Sequence, residues 1–310
     1  MDRWRYKDIP NQKGKVAIVT GANSGLGYYT SKGLAENGCK VIMACRNTEK
    51  GDEARSSLLK TIPNADLRVM QLDLAELASV RNFASEFASN HKKLDLLINN
   101  AGLMAIPRRE TADGFEMQFG VNHLGHFALT GLLFGVLKST GGSRVVNVSS
   151  MAHNMGNIRF DDINWEKRYN KWSAYGMSKL ANIHFTLEMA DRVMARSLDM
   201  KVLVAHPGYA DSKLIEKGPE MNGNNFLIKA GRFLNRMVAQ STEMGALPTL
   251  YAATAPEAAH SAYYGPRKMG GMRGYPERTY PNKKKLSKDV QLELWRLSAS
   301  MTGVSFLEKM

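Results

Sequence analysis

Tyr175 and Lys179 stand four residues apart in Ser173-Ala-Tyr-Gly-Met-Ser-Lys179. On a helix that spacing puts both side chains on one face. A free tyrosine titrates near ~10, too high for easy proton exchange at neutral pH, and an ammonium beside it stabilises the phenolate and lowers that value. The pair therefore suits proton transfer. Far upstream, Thr20-Gly21-Ala-Asn-Ser24-Gly25-Leu26-Gly27 is a glycine-rich turn directly after an apolar run. A turn of that kind, opening a helix, suits the pyrophosphate of a dinucleotide. Each pattern is weak alone, since Tyr/Lys pairs at this spacing decorate many helices and many strand–helix turns contain glycine. Together, in this order, they point to hydride transfer with a tyrosine handling the proton.

Such residues need elements to hold them in place. Short apolar runs predict strands at 15–20, 40–45, 67–72, 94–99, 144–149 and 200–205. Helical spacing lies between them at 28–37, 49–60, 79–90, 115–138 and 175–197. Strict alternation of strand and helix predicts an α/β fold with a doubly wound, Rossmann-type parallel sheet and helices on both faces. Gly21, Arg46, Asp73, Asn100, Ser150 and Pro207 all fall at the carboxyl ends of predicted strands, where such sheets bind ligands. After Gly208 the pattern loosens. Residues 211–236 read as a lobe over the substrate, 242–253 as a helix, 263–281 as loop with a last strand near 262–264, and 288–301 as a helix. The expectation is one domain over 1–310, with its core at 13–212, a substrate lobe at about 211–240 and a C-terminal loop and helix at 262–305.

With 310 residues, 44% of them hydrophobic, the chain can bury one large core. No run of about 18 apolar residues predicts a transmembrane anchor, and Met1–Lys15 lacks the apolar stretch of a secretory signal. Cys39 and Cys45 read as small buried residues, which fits a reducing, cytoplasmic setting. The net charge of +13 is spread along the chain, densest at Lys283-Lys-Lys285, with no nucleic-acid motif beside it, so no specific nucleic-acid partner is expected. His123 and His126 could share a helix face, but a third ligand at suitable spacing is missing; a packing role is expected and no metal. The 18 methionines read as core and pocket lining.

Several motifs resemble the short-chain dehydrogenase/reductase family: Thr20-Gly-x-x-x-Gly-x-Gly27, Asn99-Asn-Ala-Gly102, Val121-Asn-His123, Val148-Ser-Ser150, Tyr175-x-x-x-Lys179 and Pro207-Gly208. The likeness covers residues 15 to about 212. Ala44-Cys-Arg46, Asn122-His-Leu-Gly-His-Phe127, Asn147-Val-Ser-Ser-Met-Ala-His153 and Ser178-Lys-Leu-Ala-Asn182 are similar to the retinol-dehydrogenase-like branch.

The resemblance implies roles. Gly21 would permit the tight turn, Gly25 the approach of backbone to pyrophosphate, and Gly27 close helix–strand packing, with Ser24 and Leu26 beside the cofactor. Asp73 and Leu74 would sit by the adenine; Asn100, Ala101 and Gly102 would lie along the adenosine ribose. Pro207 and Gly208 would run along the nicotinamide, and Ser212 stands where the family has a threonine against the carboxamide. Ser150, the second serine of its pair, would stabilise the substrate oxygen, and Ser149 would point the other way. Lys179 would reach the nicotinamide ribose, and Asn122 would hold a water that relays protons to it. The position that is acidic in NAD enzymes is Cys45 here, followed by Arg46, which could bind a 2′-phosphate; NADP is expected over NAD.

The expected function is thus NADP(H)-dependent interconversion of an alcohol and an aldehyde or ketone, lipophilic in kind, with Tyr175 as acid and base. The loop between His153 and Trp172 would border the substrate. A non-catalytic NADP-binding sensor or interaction protein is the alternative from another class, and a protochlorophyllide-reductase-like enzyme is a further one. Relatives often form dimers on the helices bearing Asn122 and Tyr175; a homodimer is possible, although the C-terminal extension could block that interface.

Overall fold

In the computed structural model, which describes residues 3–209 and 240–308, the apolar runs become strands of one sheet. They are β1 (Val16–Thr20), β2 (Lys40–Cys45), β3 (Leu67–Gln71), β4 (Leu96–Asn99), β5 (Ser143–Val148), β6 (Met200–Ala205), β7 (Tyr263–Lys268) and β8 (Arg273–Thr279). β1 and β4 are buried at every residue, as strands covered on both faces must be. The order across the sheet is β3-β2-β1-β4-β5-β6-β7-β8. The first seven strands pair in parallel and β8 returns antiparallel to β7. This is the doubly wound fold expected from the alternation. Strand order reverses between β1 and β4, which opens a crevice at their carboxyl ends.

The helices are α1 (Gly25–Glu36), α2 (Thr48–Thr61), α3 (Leu77–Asn90), α4 (Met117–Phe119), α5 (Gly125–Leu132), α6 (Phe134–Ser139), α7 (Lys171–Ala195), α8 (Thr242–Thr254) and α9 (Lys288–Thr302). Alternate residues of β1 feed two cores, as a period of two requires. Ala17 and Val19 pack with Leu34 of α1, Leu58 of α2 and Leu250 of α8. Ile18 packs on the other face with Phe83 of α3, Phe127 of α5 and Phe185 of α7. Among the described residues, no helix is long and apolar enough to cross a membrane.

Three expectations change. The helix expected over 115–138 is broken into α4, a wide π-type turn at Gly120–Leu124, α5 and α6. Gly120 and Gly125 bracket the turn, and each lets a neighbour close in. A Cβ at Gly120 would lie 2.5 Å from the Thr111 methyl, and one at Gly125 would lie 2.6 Å from the Leu74 carbonyl. Second, the segment 263–281, expected mostly as loop, is the β7–β8 hairpin. Gly270 and Gly271 reverse the chain at φ 63° and 93°. Pro276, Glu277 and Arg278 are residues an edge strand tolerates, so its composition resembles a loop. Third, α7 starts at Lys171 rather than near Tyr175, because the Asn170 side chain accepts from the Trp172 and Ser173 N–H groups at 3.1 and 3.0 Å. The substrate lobe expected at 211–240 lies outside the described residues, apart from Gln240.

Candidate active site

The glycine-rich turn joins β1 to α1. Gly21 and Gly25 sit at φ 66° and 57°, the left-handed region that glycine enters freely. A Cβ on Gly27 would collide with the Gly21 carbonyl and come within 2.7 Å of the Asn100 amide, so this glycine sets how closely α1 meets β4. A Cβ on Gly25 would meet nothing within 4 Å, which leaves the start of α1 open on that side. Ser24 is the residue before the first helical one.

Thr20 ties this turn to the end of β4. Its hydroxyl accepts from the Asn100 and Ala101 N–H groups, both at 2.9 Å, while the Asn100 side-chain amide donates to the Thr20 carbonyl at 2.8 Å. With both lone pairs engaged, the hydroxyl donates to the nearer of its two acceptors, His126 Nε2 at 2.9 Å, rather than to the Ile98 carbonyl at 3.3 Å. His126 therefore carries its proton on Nδ1, which donates to the Asn122 carbonyl at 3.0 Å. Burial pushes His126 down to about 4, so the ring stays neutral.

Tyr175, Lys179 and Ser150 line one cleft of about 460 Å³ with Leu26, Asn100, Gly102, Pro207 and Gly208. Lys179 Nζ donates to the Val148 carbonyl at 3.1 Å and lies 5.8 Å from the Tyr175 ring centre. Ser149 turns away, donating to the Lys179 carbonyl at 2.8 Å. Ser150 stands at the cleft, its hydroxyl accepting from the Ala152 N–H at 3.2 Å and its carbonyl taking a bond from His153 Nδ1 at 2.7 Å. Burial raises the Tyr175 phenol above its ordinary value, and the Ser150 hydroxyl opposes that rise. The spacing to Lys179 alone predicts the opposite direction; desolvation outweighs it because the ring is enclosed. Burial also pushes Lys179 down to about 8.

The side chain of Asn122, on the π-type turn, is committed to the loop after β4. Its Oδ1 accepts from the Leu103 N–H at 2.7 Å, and its amide donates to the Leu103 carbonyl and the Ser178 hydroxyl, both at 2.9 Å. A Cβ on Gly102 would lie 3.1 Å from that Oδ1 and 3.2 Å from Lys179 Nζ, so glycine lets both groups approach the loop.

The remaining expected positions that the structure describes are not among the cleft-lining residues. Cys45 is buried at the end of β2, its thiol pushed up to about 11 by burial against the opposing N–H groups of Ala22 and Asn23. Arg46 follows it, exposed. Asp73 accepts from the Ala75 N–H at 2.9 Å, and Leu74 is buried. Ser212 lies outside the described residues.

Sequence reasoning did not single out the cleft's apolar wall, which includes Leu103, Met104, Met151, Met155 and Tyr209. Adjacency to motifs was the available signal: Leu103 follows Gly102, Met151 follows Ser150 and Tyr209 follows Gly208. Trp172, at the end of the loop expected to border the substrate, does line it. Beneath Gly208, at φ 68°, the β7–β8 turn props the loop: Tyr209 N–H donates to the Met272 carbonyl at 2.9 Å. His123 is packed against Phe119, with Nε2 bonded to the Ser298 hydroxyl at 2.8 Å.

Residues 15–222 match the family described as short chain dehydrogenase. The chain is 40% identical to Retinol dehydrogenase 13 of Homo sapiens over 293 residues, which is 94% of this chain and 85% of that protein. It is 48% identical to Retinol dehydrogenase 11 of Homo sapiens over 202 residues, covering 65% and 63%. An uncharacterized protein of Mycobacterium paratuberculosis has a crystal structure that superposes with a TM-score of 0.81 at 38% identity, covering 98% of this chain and 99% of that one. The Pseudomonas aeruginosa RhlG/NADP complex shares the fold, with a TM-score of 0.63 at 22% identity over 81% and 94% of the two chains. A glycine turn locked to β4, a Ser–Tyr–Lys cleft at the strand ends and these likenesses agree: the chain belongs to the short-chain dehydrogenase family, as a retinol-dehydrogenase-like oxidoreductase.

Proposed function

We propose that this protein interconverts an alcohol and an aldehyde or ketone with NADP(H), and that Tyr175 moves the proton. The observation that carries the reading is the meeting of Ser150, Tyr175 and Lys179 in one cleft with Gly102, Pro207 and Gly208. The residues fit a nicotinamide dinucleotide. The start of α1 is open at Gly25, and the buried Lys179 ammonium, with three donors, has one protein acceptor among the described residues. The remaining donors suit ribose hydroxyls. Gly21, Ser24, Gly25, Leu26 and Gly27 would hold the pyrophosphate, Asp73 and Leu74 the adenine, and Asn100, Ala101 and Gly102 the adenosine ribose. The nicotinamide, when bound, supplies or accepts the hydride.

In reduction the Tyr175 phenol gives its proton to the carbonyl oxygen, and Ser150 donates a hydrogen bond to the same oxygen. In oxidation the phenolate takes the alcohol proton. Lys179 stabilises the phenolate, and Asn122 holds the Leu103 loop against that lysine.

Arg46 supports NADP over NAD: it is exposed at the end of β2, after a buried thiol where a carboxylate would repel a 2′-phosphate. The apolar wall supports a lipophilic substrate, and retinol, named in its relatives, is one such alcohol. Titration with NADPH and NADH, followed by a carbonyl panel, tests this reading. Tighter NADPH binding with turnover is expected. Binding without turnover would favour the sensor alternative, and no binding of either nucleotide would overturn the proposal.

A further inference from the structure

The wall of the cleft is apolar, yet a second cation lines it besides Lys179. Lys171 is the first residue of α7, one helical turn before Tyr175. A cation there is electrostatically misplaced, because the N-terminus of a helix carries the positive end of its dipole. Among the described residues no carboxylate compensates. Arg108 pairs with Glu110 at 3.0 Å, Arg159 with Asp162 at 3.3 Å and Lys167 with Asp161 at 4.0 Å, while Lys171 has no carboxylate partner among the described residues. Glu116, which reaches the same corner through Tyr169, is occupied by the Gln118 and Phe119 N–H groups at 3.0 and 2.7 Å. The corner itself is rigid. Asn170 caps the helix, and the Lys171 carbonyl accepts from the Gln118 side chain at 3.0 Å.

A local preference broken, with no compensation among the described residues, inside a ligand cleft is a candidate functional position. We propose that Lys171 selects carbonyl substrates that carry a carboxylate at the far end of an apolar chain. This rests on the proposed function, because it assumes a carbonyl held between Ser150 and Tyr175. Residues four apart on a helix are separated by a rise of about 6 Å, to which a lysine adds its own reach. A carbonyl at Tyr175 thus leaves room for a medium-length methylene chain along Met151, Met155 and Trp172 before its carboxylate meets Lys171. The start of α7 adds its dipole to the attraction.

The test compares azelaic semialdehyde, its methyl ester and nonanal as substrates with NADPH. The native protein should favour the acid over the ester about five- to tenfold in kcat/KM, through KM, with the preference fading as salt is raised. In Lys171→Met the acid-to-ester ratio should fall to near one, and Lys171→Arg should restore it. A ratio near one in the native protein, with nonanal and the ester turned over, would sink this inference and leave the proposed function standing. A ratio unchanged in Lys171→Met would sink it likewise. No turnover of any of the three would overturn this inference, while the wider carbonyl panel and nucleotide titration would still decide the proposed function.

Discussion

Tyr175 and Lys179 are a pair whose individual burial works against both charged forms: the phenol is raised and the ammonium is lowered to about 8. The phenol therefore stays protonated at neutral pH, ready to act as an acid. Oxidation needs the phenolate, so its rate should climb as pH rises through the alkaline range, while reduction should hold level at neutral pH and fall as Lys179 loses its proton near pH 8. Rate–pH profiles in both directions check this, and identical profiles would contradict it. Tyr175→Phe should lower turnover by roughly 10²- to 10⁴-fold and leave nucleotide binding in place. Turnover that survives would show the proton moving by another route. In the proposed reading Arg46 would act at the other end of the nucleotide. Arg46→Ala should weaken NADPH binding about tenfold or more and leave NADH binding close to native, since the charged contact is to the 2′-phosphate alone. Equal losses for both nucleotides would argue against that contact.

At the scale of elements, the site depends on close approach of β1, α1 and β4. Gly27 stands where a side chain would strike the Gly21 backbone. Gly27→Ala should therefore reduce affinity for both nucleotides and lower Tm, measured by calorimetry and thermal unfolding. Native affinity in this variant would mean that the turn can relax. The motif spacing made these glycines legible. The π-type turn was not, because the residues that grip it, Leu74, Leu103 and Thr111, lie in other segments of the chain. The hairpin under Tyr209 was hidden for a related reason: glycine, proline and charge describe an edge strand and a loop equally well until a partner strand is known.

Across the whole molecule, α9 and the residues after it cover the outer face of α5 and α7. Trp295 lies 5.1 Å from Phe127 and 5.8 Å from Phe185, between ring centres, with the Arg192 guanidinium 4.5 Å from its ring. Phe306 packs on Phe127 at 5.1 Å, and a Cβ at Gly131 would come within 2.5 Å of Val304. The chain's own C-terminal residues thus pack on α5 and α7, the helices on which a dimer of the expected kind would be built. Trp295→Ala should cost about 3–5 kcal/mol in chemical unfolding. Buried histidines contribute to acid sensitivity. Burial holds His123 and His206 at about 3 and His126 at about 4, below the 6.5 of a free imidazole. Between those values the unfolded chain binds more protons than the folded one, so their contribution is intact above 6.5 and is lost as pH falls from there toward about 3. Each group can add up to about 1.4 kcal/mol per pH unit to that decline. Unfolding free energies measured across this window should fall with acidification, with a shallower slope in His123→Gln. A flat profile would mean that these rings titrate normally.

The sequence alone determined the alternation of strands and helices as far as β6, the glycine-rich turn and the serine, tyrosine and lysine that line the cleft, because strand and helix periodicity and motif spacing are local properties of the chain. The choice of Ser150 over Ser149 came from the family resemblance, since alternation alone says only that neighbours on a strand face opposite ways. Only the tertiary structure decided the direction in which Tyr175 is shifted, the grip of Asn122 on Leu103, the neutral tautomer of His126 and the position of Lys171 on an apolar wall. Each of these depends on burial or on partners distant in sequence. Desolvation and hydrogen-bond satisfaction exist only once those distant segments have closed around the group.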